Sequence, residues 1–234
     1  MQEFLEGSLF FGAIISIVCY EAGMLLKKRF QSAILNPLLI GIISVIALLK
    51  LFRIDYQVYS MGASYISYFL TPATVCLAIP LYEQLELLKR NFAAIAAGIV
   101  SGVLASLFGV LALAEIFHMN HELFVSLLPK SITTAIGMGV SEELGGIVTI
   151  TVSVIVITGV LGNIAGEFLL NFFCIEEPVA RGLALGNSSH AIGTAKAMEL
   201  GEVEGAVSSL AIVTAGLLTV ILAPLFVQLR YMIA

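Results

Sequence analysis

The chain has 234 residues and a formal net charge of −5. It is 59% hydrophobic and 12% charged, with a mean hydropathy of +1.06. A soluble domain carries about 25% charged residues, so this composition excludes a cytosolic enzyme and a disordered regulator. The negative balance offers no basic surface to nucleic acid. Cys19, Cys76 and Cys174 lie within or beside apolar runs and make no disulfide framework. What remains is an all-α integral membrane protein. The apolar runs are continuous rather than alternating, which disfavours a β-barrel. A spanning helix takes about 20 residues, so the length allows about seven or eight membrane segments, broken or re-entrant ones included, and no soluble domain beside them.

In chain order, residues 5–26 form a first span, followed by Lys27, Lys28 and Arg29. Glu3 and Glu6 lead it where a signal peptide would carry Lys or Arg. The basic cluster belongs inside, so the N-terminus is expected outside. Residues 33–52 form a second span, opened by Asn36-Pro37, and residues 61–81 a third segment containing Pro72 and Pro80. Lys89 and Arg90 mark the inside again before a fourth span at 92–114, and the loop at 115–122 has no Lys or Arg. Segment 123–140 is interrupted by Pro129-Lys130-Ser131, residues 146–173 are a long apolar run, 178–200 is only semi-apolar, and 206–229 is the last span. Whether 123–140 and 178–200 cross or dip in and return stays open at this point, because Arg181 and Lys196 flank the same stretch.

The starts of the segments repeat at an offset of about 113 residues, which divides the chain into two units of about 115, at 1–117 and 118–234. Residue identity between the halves is poor, so the repeat is one of hydropathy and breaks, and it is expected to be inverted. Duplicated units with interrupted helices are the sequence pointer to a transporter site.

Three interruptions carry the chemistry. Thr71-Pro72 reads as a helix start inside a membrane segment, with a capping hydroxyl and a proline at the first helical position. Such a start points its positive end into a cavity and favours an anion; Thr74 adds a hydroxyl. The stretch from Pro129 through Lys130, Ser131, Thr133 and Thr134 repeats the device, with Pro129 as a helix start and a cation in the first turn. Lys130 then needs a negative partner, either a substrate carboxylate or Glu142 or Glu143; alternatively it snorkels to the headgroups. Ser141-Glu142-Glu143 reads as the capped start of the next helix. The third interruption, at Gly186-Asn187, opens the densest polar stretch: Asn187, Ser188, Ser189, His190, Gly193 and Thr194. Intramembrane ionisable groups are functional candidates, and His190 is the candidate for proton coupling.

No catalytic arrangement is expected. Gly-x-Ser-x-Gly and phosphate-binding loops are absent from the sequence, and Asp55 is its one Asp. His118 and His121 lack a convincing third ligand, so neither a metal nor a cofactor is expected. Gly98/Gly102 and Gly162/Gly166 read as close helix contacts.

These motifs resemble the LrgB/CidB family. The resemblance rests on the run from Pro129 to Thr134, Glu143-Leu144-Gly145-Gly146, the stretch from Ala180 to Gly186, Ser189-His190 with Gly193-Thr194-Ala195, and Glu204-Gly205-Ala206 with Ser208-Ser209-Leu210. In the first half it rests on Asn36-Pro37-Leu38-Leu39, Pro72-Ala73-Thr74, Leu77-Ala78 and Pro80-Leu81-Tyr82. Two positions depart from the pattern: Ala135 stands where the family has Pro after the paired threonines, and Asn187-Ser188 where a Thr-Ala-like pair precedes Ser-His.

The resemblance implies two functions. One is a carrier of small monocarboxylates such as glycolate, glycerate, lactate or pyruvate. The other is an antiholin-like regulator of murein hydrolase export and lysis. Either implies a multi-pass protein of the cell (cytoplasmic) membrane, a small four-span LrgA/CidA-like partner and a homo-oligomer. For the carrier, the expected substrate contacts are Thr71, Thr74, Lys130, Ser131, Thr133, Thr134, Arg181, Asn187, Ser188, Ser189, His190 and Thr194, with Lys130 or Arg181 balancing the charge.

Overall fold

The computed structural model describes residues 10–30, 36–69, 72, 75–76 and 78–233. Among these residues the regular structure is helical throughout. The chain packs as two compact units, Met1–Cys76 and Leu77–Ala234.

The first unit holds α1 (Phe11–Phe30), α2 (Pro37–Leu51) and α3 (Tyr56–Ser67), with α1 packed on both of the others. The basic cluster closes the last turn of α1, where cations complement the helix dipole. Asn36 caps α2, its Oδ1 accepting from the Leu38 and Leu39 amides at 2.9 and 3.2 Å, and Pro37 takes the first helical position. Ser16 Oγ meets Tyr59 Oη at 2.9 Å between α1 and α3.

The second unit opens with two short helices, α4 (Ala78–Glu83) and α5 (Leu85–Arg90). Three long apolar helices follow: α6 (Phe92–Ile116), α9 (Val148–Phe172) and α11 (Glu202–Ile233). They have 25, 25 and 32 residues and are long and apolar enough to cross a membrane. At 1.5 Å per residue even the shorter two reach about 37 Å, beyond a hydrocarbon core of about 30 Å. Between them stand two polar segments that fold back on themselves.

The first is α7 (His121–Leu127), a connector, and α8 (Thr134–Glu143). His121 Nε2 donates to the Leu144 carbonyl at 3.1 Å, and Ser126 Oγ accepts from the Ile147 amide at 2.7 Å. Gly137 lies beside Pro129. The two helices therefore run antiparallel, with residues 128–133 at the tip. This corrects two sequence expectations. Pro129 does not start a helix; it follows the end of α7, and α8 begins at Thr134 with Thr133 as its N-cap. Lys130 accordingly sits in the connector and not in a first turn. Nor does Ser141-Glu142-Glu143 open a helix. It ends α8, because Gly145 takes φ +80. The Gly146 amide then bonds the Ser141 carbonyl at 2.7 Å and the Gly145 amide that of Glu142 at 3.2 Å. This is the glycine-dependent closure of a helix C-terminus.

The second is α10 (Pro178–Leu200), helical on both sides of a break at Ser189 (φ −134, ψ 15) and His190 (φ 42, ψ −138). Gly193 presses on the carbonyl of Leu185, eight residues earlier, where a side chain would clash. Gly182 faces Glu204 and Val207, while Gly205 faces Met198. In a straight helix residues 182 and 198 would stand about 24 Å apart, so 178–188 and 191–200 run in opposite directions. The predicted break at Gly186-Asn187 thus falls three residues later. Each half is about 11 residues, or about 16 Å, half of what a crossing needs. Segment 178–200 therefore folds back on itself as a helical hairpin.

Packing ties both hairpins to the long helices. Leu107, Val110 and Leu111 of α6, Phe124 and Val125 of α7, and Val207, Ala211 and Ala215 of α11 belong to one buried cluster. At one end Arg230 of α11 donates from Nε to Glu115 Oε1 at 2.8 Å, bonds the Met119 and Asn120 carbonyls, and covers the Phe124 ring at 4.7 Å.

Candidate functional site

The tip of the first hairpin and the first arm of the second come together beside the middle of α6. There α6 carries Gly98, Ser101, Gly102, Ala105 and Ser106, spaced three and four apart and so on one face. Its small side chains leave a cavity of about 490 Å³, walled by Lys130 and Ser131 from the first hairpin and by Leu183, Ala184, Asn187 and Ser188 from the second.

The polar groups are arranged in a chain. Lys130 Nζ donates to Ser131 Oγ at 2.9 Å, and Ser131 Oγ pairs with Ser106 Oγ at 3.1 Å. Among the described residues no carboxylate forms an ion pair with Lys130; Glu142 and Glu143, offered by the sequence as its partners, lie at the other end of α8. Asn187 Nδ2 donates to the Gly98 and Ile99 carbonyls at 3.1 and 3.4 Å, which fixes the amide orientation. Asn187 Oδ1 is buried without a hydrogen-bond partner. Gly102 is needed here, since a Cβ would collide with the Asn187 amide. Ser188 Oγ donates to the Ala184 carbonyl at 2.7 Å.

Of the residues singled out in the sequence, Lys130, Ser131, Asn187 and Ser188 line this cavity. The rest of those described do not. Thr133 and Thr134 open α8. Arg181 sits in the first turn of α10 and reaches Asn171 Oδ1 at 3.3 Å, so among the two candidate cations Lys130 is the one in the cavity. Ser189 and His190 form the tip of the second hairpin and seat against α9, at Gly162 and Gly159. His190 Nε2 donates to the Ile155 carbonyl at 2.9 Å. Thr194 is buried between α10 and α11, paired with Ser208 Oγ at 2.7 Å. Lys196 bridges Glu167 at 2.7 Å and Glu199 at 3.3 Å. Thr71 and Thr74 lie outside the described residues.

Sequence reasoning missed Ser101 and Ser106. The signal was present as five small residues along one face of α6, but Gly98 and Gly102 were read only as packing positions.

A family model described as the LrgB-like family matches residues 16–229. The Holin-like protein CidB of Staphylococcus aureus is 37% identical over 231 residues, covering 99% of this chain and 100% of the relative. The Antiholin-like protein LrgB of Bacillus subtilis is 38% identical over 223 residues, covering 95% and 96%. That of Bacillus cereus is 37% identical over 218 residues, covering 93% and 95%. No solved structure matches the chain. A match of this length and identity means that the chain belongs to the LrgB-like family.

Proposed function

We propose that the chain is a multi-pass carrier of small monocarboxylates, 2-hydroxy or 2-oxo acids, in the cell membrane. The observation that carries this reading is Lys130, an ammonium without a carboxylate partner among the described residues, bonded to the Ser131 hydroxyl at a hairpin tip. A half-buried cation without a counter-charge is costly, and one carboxylate of a small acid would complete it, with Ser101, Ser106, Ser131 and Ser188 offering hydroxyls.

The path of the chain supports access from two sides. With α6 crossing, the first hairpin enters from the face where α6 ends and returns there. α9 crosses back, and the second hairpin enters from the opposite face. The pair α6 with the first hairpin and α9 with the second would then be an inverted repeat of about 56 residues, half the offset read in the sequence. Lys89, Arg90, Arg181 and Lys196 would share the cytoplasmic face, in keeping with the positive-inside rule and with an N-terminus outside.

The names of the relatives favour a second reading more than they favour the carrier: an antiholin-like membrane component controlling murein hydrolase export, assembled with a small LrgA/CidA-like protein and with copies of itself. Uptake of labelled glycolate, glycerate, lactate and pyruvate into proteoliposomes, with and without such a partner, separates them. Saturable uptake that discriminates among solutes supports the carrier. Unsaturable release of solutes by size supports the pore-forming alternative.

A further inference from the structure

Resting on the carrier reading, we infer that Lys130 itself carries the coupled proton, so that each monocarboxylate enters with one proton and the empty carrier returns with a neutral amine. Three observations support the assignment. First, among the described residues Lys130 Nζ hydrogen-bonds Ser131 Oγ, at 2.9 Å, and Ser131 is in turn engaged by Ser106. Hydroxyls of this kind accept from an ammonium and donate to an amine, so the site accommodates both forms. Secondly, among the described residues Lys130 is the one titratable group lining the cavity. The charged and titratable side chains of the packed elements are absent from that lining: Glu115 on α6, His121 and Glu122 on α7, Glu142 and Glu143 on α8, Glu167 on α9, Arg181, His190, Lys196 and Glu199 on α10, and Glu202, Glu204 and Arg230 on α11. Nothing fixed there balances the charge, so it depends on the anion. Thirdly, the sequence-based candidate is engaged elsewhere: the His190 ring is committed to the Ile155 carbonyl and packed against Gly159, away from the cavity.

The cycle balances. A neutral amine facing the loading side takes one proton from water, and the ammonium takes one carboxylate. After the change of access the acid leaves, the proton follows it into water, and the neutral amine recrosses. An isolated charge in low dielectric is expensive and the neutral form is not, so the empty carrier moves most easily unprotonated. Arginine stays charged at any accessible pH. It would bind the carboxylate and allow exchange of acid for acid while blocking the empty return.

The test uses the full chain in proteoliposomes with a lumenal pH indicator. Lumenal acidification and saturable labelled-acid uptake are both measured above protein-free vesicles. The expected result is about one proton per acid for the natural chain. Lys130→Arg should keep acid-for-acid exchange at reduced rate and lose at least tenfold in net acidification. His190→Gln should keep the proton count near one. Net acidification by Lys130→Arg at the natural rate overturns the assignment, as does uptake by His190→Gln without protons. Should the arginine variant not fold, the glutamine variant decides. Absence of saturable uptake by the natural chain overturns the carrier reading and this inference with it, an outcome distinct from uptake that is uncoupled from Lys130.

Discussion

Position 190 offers a test in which glycine and alanine should exchange their usual order. Within a helix Gly is about 1 kcal/mol less stable than Ala. His190 stands at φ 42, ψ −138, a conformation that a Cβ disfavours by about 1–3 kcal/mol. Both His190→Ala and His190→Gly lose the bond to the Ile155 carbonyl, worth about 1 kcal/mol, and both leave a void beside Gly159. Alanine also keeps the backbone strain, whereas glycine relieves it. We therefore expect His190→Ala to fall about 2–4 kcal/mol below the natural chain. His190→Gly should lie about 1–2 kcal/mol above the alanine variant. For a chain of this size 1 kcal/mol moves the midpoint by about 2–4 °C, so thermal unfolding in detergent should place Gly above Ala by several degrees. Equal midpoints, or Ala above Gly, would refute the reversal of the chain at Ser189–His190.

Other sites make independent predictions. Gly102→Ala places a methyl group against the Asn187 amide; it should displace the second hairpin from α6, cost about 1–2 kcal/mol in thermal unfolding, and reduce saturable uptake at least tenfold. Thr194→Val and Ser208→Ala each strand one partner of a buried pair, at about 1–2 kcal/mol, while the double variant should cost little more than either, which a double-mutant cycle reads directly. Gly145→Ala, at φ +80, should cost about 1 kcal/mol in the same unfolding assay. If external acidification is varied at fixed anion concentration, saturable uptake by the natural chain should rise as external pH falls, because the proton is taken up on the loading side; a flat profile contradicts the coupling.

The membrane class and the family were legible from composition and motifs, and so was the place of Lys130, Ser131, Asn187 and Ser188 at interruptions. The hairpins were less so. Hydropathy reports how apolar a segment is and says nothing of its direction, so 178–200 had the length of a crossing while being two short antiparallel helices. One clue pointed the right way: Arg181 and Lys196 flank the same segment, which confounds a crossing and suits a hairpin whose two ends share a face. A histidine in an apolar stretch signals a candidate proton site whether or not its ring bonds a backbone carbonyl, and the bond of His190 to Ile155 was not legible in the sequence. The helix starts were misplaced at Pro129 and Ser141 because a proline suits the residue after a helix as well as its first position. The decisive Gly145 at positive φ closes α8 where the glutamates suggested an opening.

The claim on which the rest depends is that the cavity between α6, the first hairpin tip and the first arm of the second hairpin holds the anion. With Cys19, Cys76 and Cys174 replaced, single cysteines at Ser101 and Ser188, both exposed on the cavity wall, can be labelled with a maleimide in reconstituted protein while a monocarboxylate is titrated in. Both should be protected over the same concentration range that saturates uptake, and Lys130→Gln should abolish the protection. Labelling of both thiols at an unchanged rate while uptake saturates would place the acid elsewhere and contradict the account.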